Sequence, residues 1–137
     1  MDDATGARLD ETPARRPVPL AFARPELPCT QLLEACARIT ASARSALATD
    51  AGPADLDLLA TLDEATLLCR ATVDAIALQA RTERELRLIC AAICHLCAEQ
   101  CSVRAEPWAE PLAALCSRCA DACRDGTPAL RRPRAAG

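Results

Sequence analysis

The chain has 137 residues, of which 51 % are hydrophobic and only 1 % aromatic, and its formal net charge at pH 7 is −3. This length predicts one domain, and the lack of β-branched runs favours helices over a sheet. All sixteen basic residues are arginine, and no basic stripe is interleaved with aromatic side chains, so the composition excludes an ordinary nucleic-acid-binding surface.

The N-terminal segment, residues 1–26, is rich in Pro, Arg, Asp and Ala, and this composition predicts a disordered tail. It contains no apolar core typical of a secretory signal, and no later stretch is long enough for a membrane span. We therefore expect a cytoplasmic protein that does not bind a membrane and whose thiols stay reduced.

The first helix is predicted from Leu27 or Cys29, after two prolines, to about Ala48. A turn ending in Pro53 starts the second helix, because proline suits the first helical turn. The apolar face of the first helix comprises Cys29, Leu32, Leu33, Cys36, Ile39, Ala43 and Leu47. The apolar stripe of the second comprises Leu58, Leu59, Leu62, Ala65, Cys69, Val73, Ile76 and Ala80.

The third helix is predicted to start with a capping box formed by Thr82 and Glu85 and to extend to about Arg104. Two prolines bracket the start of the fourth helix, and Gly126 ends it. Four helices with short connections predict an all-α, antiparallel up-down-up-down four-helix bundle over residues 27–126. Residues 127–137, with three arginines, predict a second disordered tail.

The cysteines follow a helical spacing. Four of them recur in steps of four, three and four residues, and three more recur in steps of three and four, so each group lies on one helix face. The intervening residues favour helix and include no helix breaker. Cysteines spaced in this way on one helix are poorly placed for unstrained disulfides. The seven residues are Cys90, Cys94, Cys97, Cys101, Cys116, Cys119 and Cys123.

The predicted bundle brings the sulfurs of all four helices to similar levels. When neighbouring helices are reflected across their short connections, all ten cysteines fall between the levels of Leu88 and Cys101. At about 1.5 Å per residue this is a column of roughly 20 Å. Cys29, Cys36 and Cys69 join the column from the first two helices, although each alone could be a small packing residue.

A buried column of thiols predicts a site for a soft metal. Thiolates select Cu(I), which accepts two or three of them, so ten sulfurs would hold about five ions. Thiols must lose protons to bind, and the apoprotein must keep them neutral, because ten buried thiolates would be too costly. His95 lies one residue off the seam and is either a nitrogen ligand that caps the column or a surface histidine.

The two cysteine runs also resemble a known family. Residues 90–101 have the form C-x3-C-x2-C-A-x2-C, and Cys116, Cys119 and Cys123 follow. These runs are similar to those of the cysteine-rich four-helix-bundle copper storage proteins of the cytosolic type. The resemblance implies a bundle that stores many Cu(I) ions in its core and assembles as a homo-oligomer, commonly a tetramer. The chain departs from the family pattern in its low cysteine count, in the single cysteine of its second helix, and in having methionine only at position 1, which leaves no thioether ligands to guide copper in.

Three alternatives remain at this point. Zinc or cadmium would use the same thiols, but Zn(II) prefers tetrahedral sites. An iron–sulfur protein is less compatible with the four-three-four spacing and the missing Cys-Pro pair. A redox-regulated interaction bundle without metal is the third. The sequence shows no paired carboxylates or Ser-His-Asp arrangement, so we expect no enzymatic activity.

Overall fold

Four α-helices form the protein, which is seen here as a computed structural model describing residues 28–125. Within this range there is no β-strand, and the predicted all-α four-helix bundle is confirmed. The helices are α1 (Cys29–Ala48), α2 (Leu56–Leu78), α3 (Glu83–Ser102) and α4 (Ala109–Asp125), with a short 3₁₀ turn (Pro53–Asp55) before α2.

The helices form a closed ring. Each helix packs against the next one in sequence, and α1 also packs against α4. The short connections are consistent with the up-down-up-down order, because helices joined by a few residues lie side by side and antiparallel. The domain boundaries at 26/27 and 126/127 stay predictions, since both tails lie outside the described residues.

The helix boundaries follow the predictions closely, but the capping box at the start of α3 is wrong. The Thr82 side chain makes no capping hydrogen bond. Its backbone (φ −83°, ψ 3°) lacks the extended conformation of a typical N-cap residue. The preceding connection is a tight turn in which Gln79 has a left-handed conformation (φ 53°) and the Glu83 N–H donates to the Ala80 carbonyl. Helix α3 also ends at Ser102, two residues before the predicted end.

A charge cluster ties two connections together at one end of the bundle. The Asp55 carboxylate accepts a hydrogen bond from the Gly52 N–H (3.0 Å). Arg104, which follows α3, contacts Asp55 at 2.9 Å and Glu106 at 2.6 Å. The hydrogen bond from Gly52 has the largest effect on the pKa of Asp55, and the contact with Arg104 the next. Both lower this pKa, so the carboxylate stays ionised. We call this end, with its connections 49–55 and 103–108, the clamped end.

At three positions in α1 and α2, the residue that is buried is the neighbour of the residue predicted to be buried. Ile39 is 40 % exposed whereas Thr40 is buried, and in α2 the buried residues at the other two positions are Thr72 and Ala75. The predicted Val73 and Ile76 are only partly buried. Hydropathy alone passes over threonine, but a helical threonine can satisfy its hydroxyl on the carbonyl one turn earlier.

The hydroxyls of the buried threonines all have partners. Thr40 Oγ1 donates to the Cys36 carbonyl (2.7 Å) or to Thr66 Oγ1, which lies 2.7 Å away on α2. Thr72 Oγ1 donates to the Leu68 carbonyl at 2.7 Å. The interface between α1 and α2 therefore contains a hydrogen bond between side chains in addition to apolar packing.

Two leucines of α2 provide a test of where the core lies. Leu62 is completely buried, whereas Leu78 is 78 % exposed. We expect Leu62→Ala to lower the free energy of unfolding by about 3 kcal/mol, because it leaves a cavity in the core. Leu78→Ala is the matched control and should change it by less than about 0.5 kcal/mol. Chemical denaturation of the apoprotein measures both, and equal losses would contradict the assignment of α2's buried face.

Candidate metal centre

All four helices contribute thiols to the core, and all ten cysteines are thiols rather than disulfides. Nine of them have no solvent-exposed surface at all, and only Cys29, at the start of α1, is partly exposed. The buried nine are Cys36 from α1, Cys69 from α2, Cys90, Cys94, Cys97 and Cys101 from α3, and Cys116, Cys119 and Cys123 from α4. Thiol groups thus occupy positions where a bundle ordinarily buries leucine.

One cysteine from each helix meets the others in the middle of the bundle. The Sγ atoms of Cys36, Cys69, Cys94 and Cys119 all lie within 4.8 Å of one another, and all four residues are buried. We call these four residues the central sulfur group. The convergence predicted from the helix levels is confirmed here, since each of the four comes from a different helix.

Further sulfurs lie next to the central group. Cys90 Sγ lies 3.7 Å from Cys69 Sγ and 4.0 Å from Cys94 Sγ. Cys36 Sγ lies 3.6 Å from Cys116 Sγ, across the contact between α1 and α4. Because these distances are close to sulfur–sulfur contact, small side-chain rotations are enough for two sulfurs to share one ion.

The sulfurs continue from the central group towards both ends of the bundle. Towards the clamped end, Cys97 lies close enough to Cys116 and Cys101 for their thiols to interact. In the opposite direction, Cys123 lies close enough to Cys90 and Cys29 to do the same. We call the end that contains Cys29 the open end. All ten thiols therefore belong to one connected set, which we call the sulfur column.

The two ends of the sulfur column differ in what covers them. Apolar side chains from the helix turns beside connections 49–55 and 103–108 cover the clamped end. Leu47, Leu58 and Leu112 are buried there, and Trp108 is partly buried against the core. Among residues 28–125, no such cover lies over Cys29 at the open end, and this thiol is partly exposed.

Neighbouring thiols of the column share protons, and either thiol of a pair can be the donor. The interaction with Cys101, followed in size by that with Cys116, lowers the pKa of Cys97 to about 5. The same interaction between Cys97 and Cys101 raises the pKa of Cys101. Several hydrogen bonds, of which the one with Cys116 has the largest effect, lower the pKa of Cys36. A hydrogen bond with the same residue raises the pKa of Cys94. When two thiols share a proton, the pKa of one therefore falls while the pKa of the other rises.

A charged side chain contacts the column at the open end. Arg87 Nη1 donates a hydrogen bond to Cys29 Sγ (3.4 Å), and Arg87 Nε donates to Glu83 Oε2 (2.9 Å) one turn earlier. The pKa of Cys29 is lowered from 9.0 to about 7. The largest cause is the interaction with Cys123, and the charge and hydrogen bond of Arg87 add to it, although burial opposes the shift. The sequence analysis missed Arg87, although its position three residues before Cys90 already puts it near the same helix face.

The structure does not bring His95 to the sulfurs. Its side chain is exposed, and its Nε2 lies 3.2 Å from Glu99 Oε2 on the outer surface of α3. The prediction that His95 caps the column thus gains no support from its position, which fits the other interpretation, a surface histidine. A helical residue next to a buried seam projects about 100° away from it, and no neighbouring helix covers this side.

No helix within residues 28–125 combines the length and apolar character needed to cross a membrane. Among curated proteins, none matches the sequence. Among solved structures, the fold is similar to one described as "Cu(I)-bound Copper Storage Protein BsCsp3", with a TM-score of 0.68 and 20 % sequence identity. The match covers 72 % of this chain and 94 % of that chain, and it shows the fold.

The family is shown by the sequence itself. The family described as "Csp: Copper storage protein" matches residues 24–128, which is well over half of the chain. This range contains all four helices and all ten cysteines of the sulfur column. The chain therefore belongs to the copper storage protein family.

Proposed function

We propose that this copper storage protein holds several Cu(I) ions on the thiolates of its ten cysteines. The observation that carries the proposal is the sulfur column, in which nine thiols are fully buried and all four helices contribute. A core of alanine and leucine would fold without the redox sensitivity of thiols, so packing alone does not account for it. At two sulfurs per ion the column holds about five Cu(I), and bridging sulfurs raise this modestly.

Copper binding to this core exchanges protons for metal. The apoprotein keeps most of its buried thiols protonated, because isolated buried anions are costly. Each Cu(I) that binds displaces protons from the thiols that ligate it. Thiols that already share a proton in a hydrogen bond, such as Cys36 and Cys116 at 3.6 Å, need little movement to ligate one ion together. All ten cysteines are proposed as ligands, and His95 is left out because of its position on the surface.

We infer that copper enters and leaves at the open end. Leucines and Trp108 cover the clamped end, and Arg104 holds its two connections together. Cys29, at the open end, is the partly exposed thiol of the column. Ions that arrive there can pass inward from sulfur to sulfur, because each thiol has further sulfurs within about hydrogen-bond distance.

We also propose that the protein stores copper in the cytoplasm and catalyses no reaction. We propose further that it forms a homo-oligomer, which the resemblance implies to be a tetramer. Carboxylates such as Asp63 and Asp121 form exposed ion pairs with arginines on the outer helix faces, which fits solvation better than acid–base catalysis. Leu67, Ile89 and Leu96 line an exposed apolar groove of about 480 Å³ between α2 and α3, which suits contact with another copy. Reduced thiols persist best in the cytoplasm.

Zinc remains a second candidate because of the central sulfur group. Four thiolates at this spacing can surround one tetrahedral ion. A single zinc site, however, uses only four of the ten sulfurs. Storage of Cu(I) uses the whole column, and family membership favours it.

The first prediction concerns copper capacity. Reduced protein titrated anaerobically with Cu(I) in the presence of a chromogenic chelator should retain about five ions per chain. Zn(II) added in equal amount should not displace them, because thiolates favour Cu(I) over Zn(II). The measurement is the chelator's absorbance together with a thiol count. Retention of less than one Cu(I) per chain would contradict storage.

The second prediction concerns the central sulfur group. We expect the double variant Cys94→Ala with Cys119→Ala to lose one or two Cu(I) per chain, since it removes two of the four central sulfurs while alanine preserves the helices. His95→Ala, next to Cys94 but exposed, is the matched control and should keep full capacity. The same titration with circular dichroism measures both. Undiminished capacity in the double variant, or a loss in the control, would contradict the ligand assignment.

The third prediction concerns the thiol at the open end. In the apoprotein, Cys29 should react with iodoacetamide well before the buried nine, and its rate should rise with pH through a midpoint near 7, because its pKa is lowered to about 7. Since the folded-state pKa lies below the unfolded value, this thiolate's contribution to stability is lost as pH falls through about 7. Mass spectrometry identifies the labelled residue, and Cys29→Ala should abolish the fast phase. Equally fast labelling of several cysteines would contradict a closed column.

A further inference from the structure

We propose that Cys29 and Cys123 form the outermost Cu(I) site of the column and that Arg87 is the counter-ion of that site. The inference rests on the proposed storage of Cu(I) by the column and adds a residue that is not a metal ligand. It assigns Arg87 a role in how tightly one particular ion is held.

The contacts of Arg87 carry the inference. Its side chain is only 12 % exposed, which is unusual for an arginine beside the core of a small bundle. One end of the guanidinium, Nη1, donates to Cys29 Sγ at 3.4 Å, and Nε donates to Glu83 at 2.9 Å. Glu83 lies one turn earlier on α3, so its carboxylate holds the guanidinium in this orientation.

The charge of a Cu(I) site explains why a cation belongs here. One Cu(I) with two thiolates has a net charge of −1, and a partly buried negative charge is costly without a partner. In the middle of the column a thiolate has several sulfur neighbours and can bridge two ions, which lowers the negative charge per ion. Cys29 and Cys123 lie at the end of the column, where bridging is possible on one side only.

Arginine suits this role better than the other charged groups. Its guanidinium stays protonated and donates several hydrogen bonds at once, so it can bind Glu83 and a thiolate together. Arg104, near the clamped end, instead contacts two carboxylates, Asp55 and Glu106, which already balance its charge. Among residues 28–125, the arginine that donates a hydrogen bond to a sulfur is thus Arg87 at the open end, where copper is proposed to exchange.

A direct consequence is that the copper ions of one chain are not equivalent. The ion between Cys29 and Cys123 is the first that an external chelator meets, and its affinity depends on Arg87. The inner ions depend on sulfur ligands alone. Loss of the guanidinium should therefore weaken one ion per chain and leave the others unchanged.

The experiment compares release of copper from fully loaded wild-type protein with release from Arg87→Gln. Arg87→Gln should lose one Cu(I) per chain to an anaerobic competing chelator at about tenfold lower chelator concentration, because a hydrogen bond to a charged group is removed. Arg87→Lys, which keeps the charge, should recover most of the difference. Arg44→Gln is the matched control, since Arg44 also pairs with an acid (Asp63, 3.0 Å) but lies on the outer surface.

The outcomes separate this inference from the proposed function. Wild-type protein that fails to retain copper overturns storage itself. Normal wild-type capacity with unchanged release from Arg87→Gln overturns only the role of Arg87, as does equal weakening of all ions. Should Arg87→Gln not fold, as judged by circular dichroism, Arg87→Met takes its place, because it keeps the aliphatic packing of the side chain and removes the charge. Unchanged copper release from that variant overturns the role of Arg87.

Discussion

The thiols of this bundle must serve as its core as well as its metal ligands, and this double requirement constrains every helix. A buried cysteine packs as a small hydrophobic residue while it is protonated, so nine completely buried thiols can replace leucine without destabilising charge. The same groups become anions when they bind metal. Binding therefore changes the charge inside the core, and the surrounding structure must tolerate both states.

The bundle meets this requirement with two different ends. At the clamped end, Arg104 is occupied by two carboxylates, and apolar side chains separate the column from solvent. At the open end, Arg87 contacts a sulfur directly. A cation beside thiolates lowers the energy of the charged form, so the electrostatic support lies where the column is accessible. The residues around Cys29 thus provide both access to the sulfur column and a positive charge that compensates its thiolates.

The hydrogen bonds between thiols give the column a further property. Because a thiol both donates and accepts, neighbouring cysteines can pass protons along the row without leaving an unpaired group. The central sulfur group has one member from each helix, so a shift of any helix would change its spacing. The position of the sulfurs and the packing of the helices therefore depend on each other.

The sequence by itself determined the four helices, the two thiol seams and the common level of the cysteines, because these follow from helical periodicity and from short connections. Only the tertiary structure decided which residues at the edges of each helix face are buried and which are exposed. Thr40 is buried and Ile39 exposed, Arg87 points to Cys29, and His95 lies outside. Such residues sit at the edge of a face, where the position of the neighbouring helix, which no local pattern encodes, sets which side is covered.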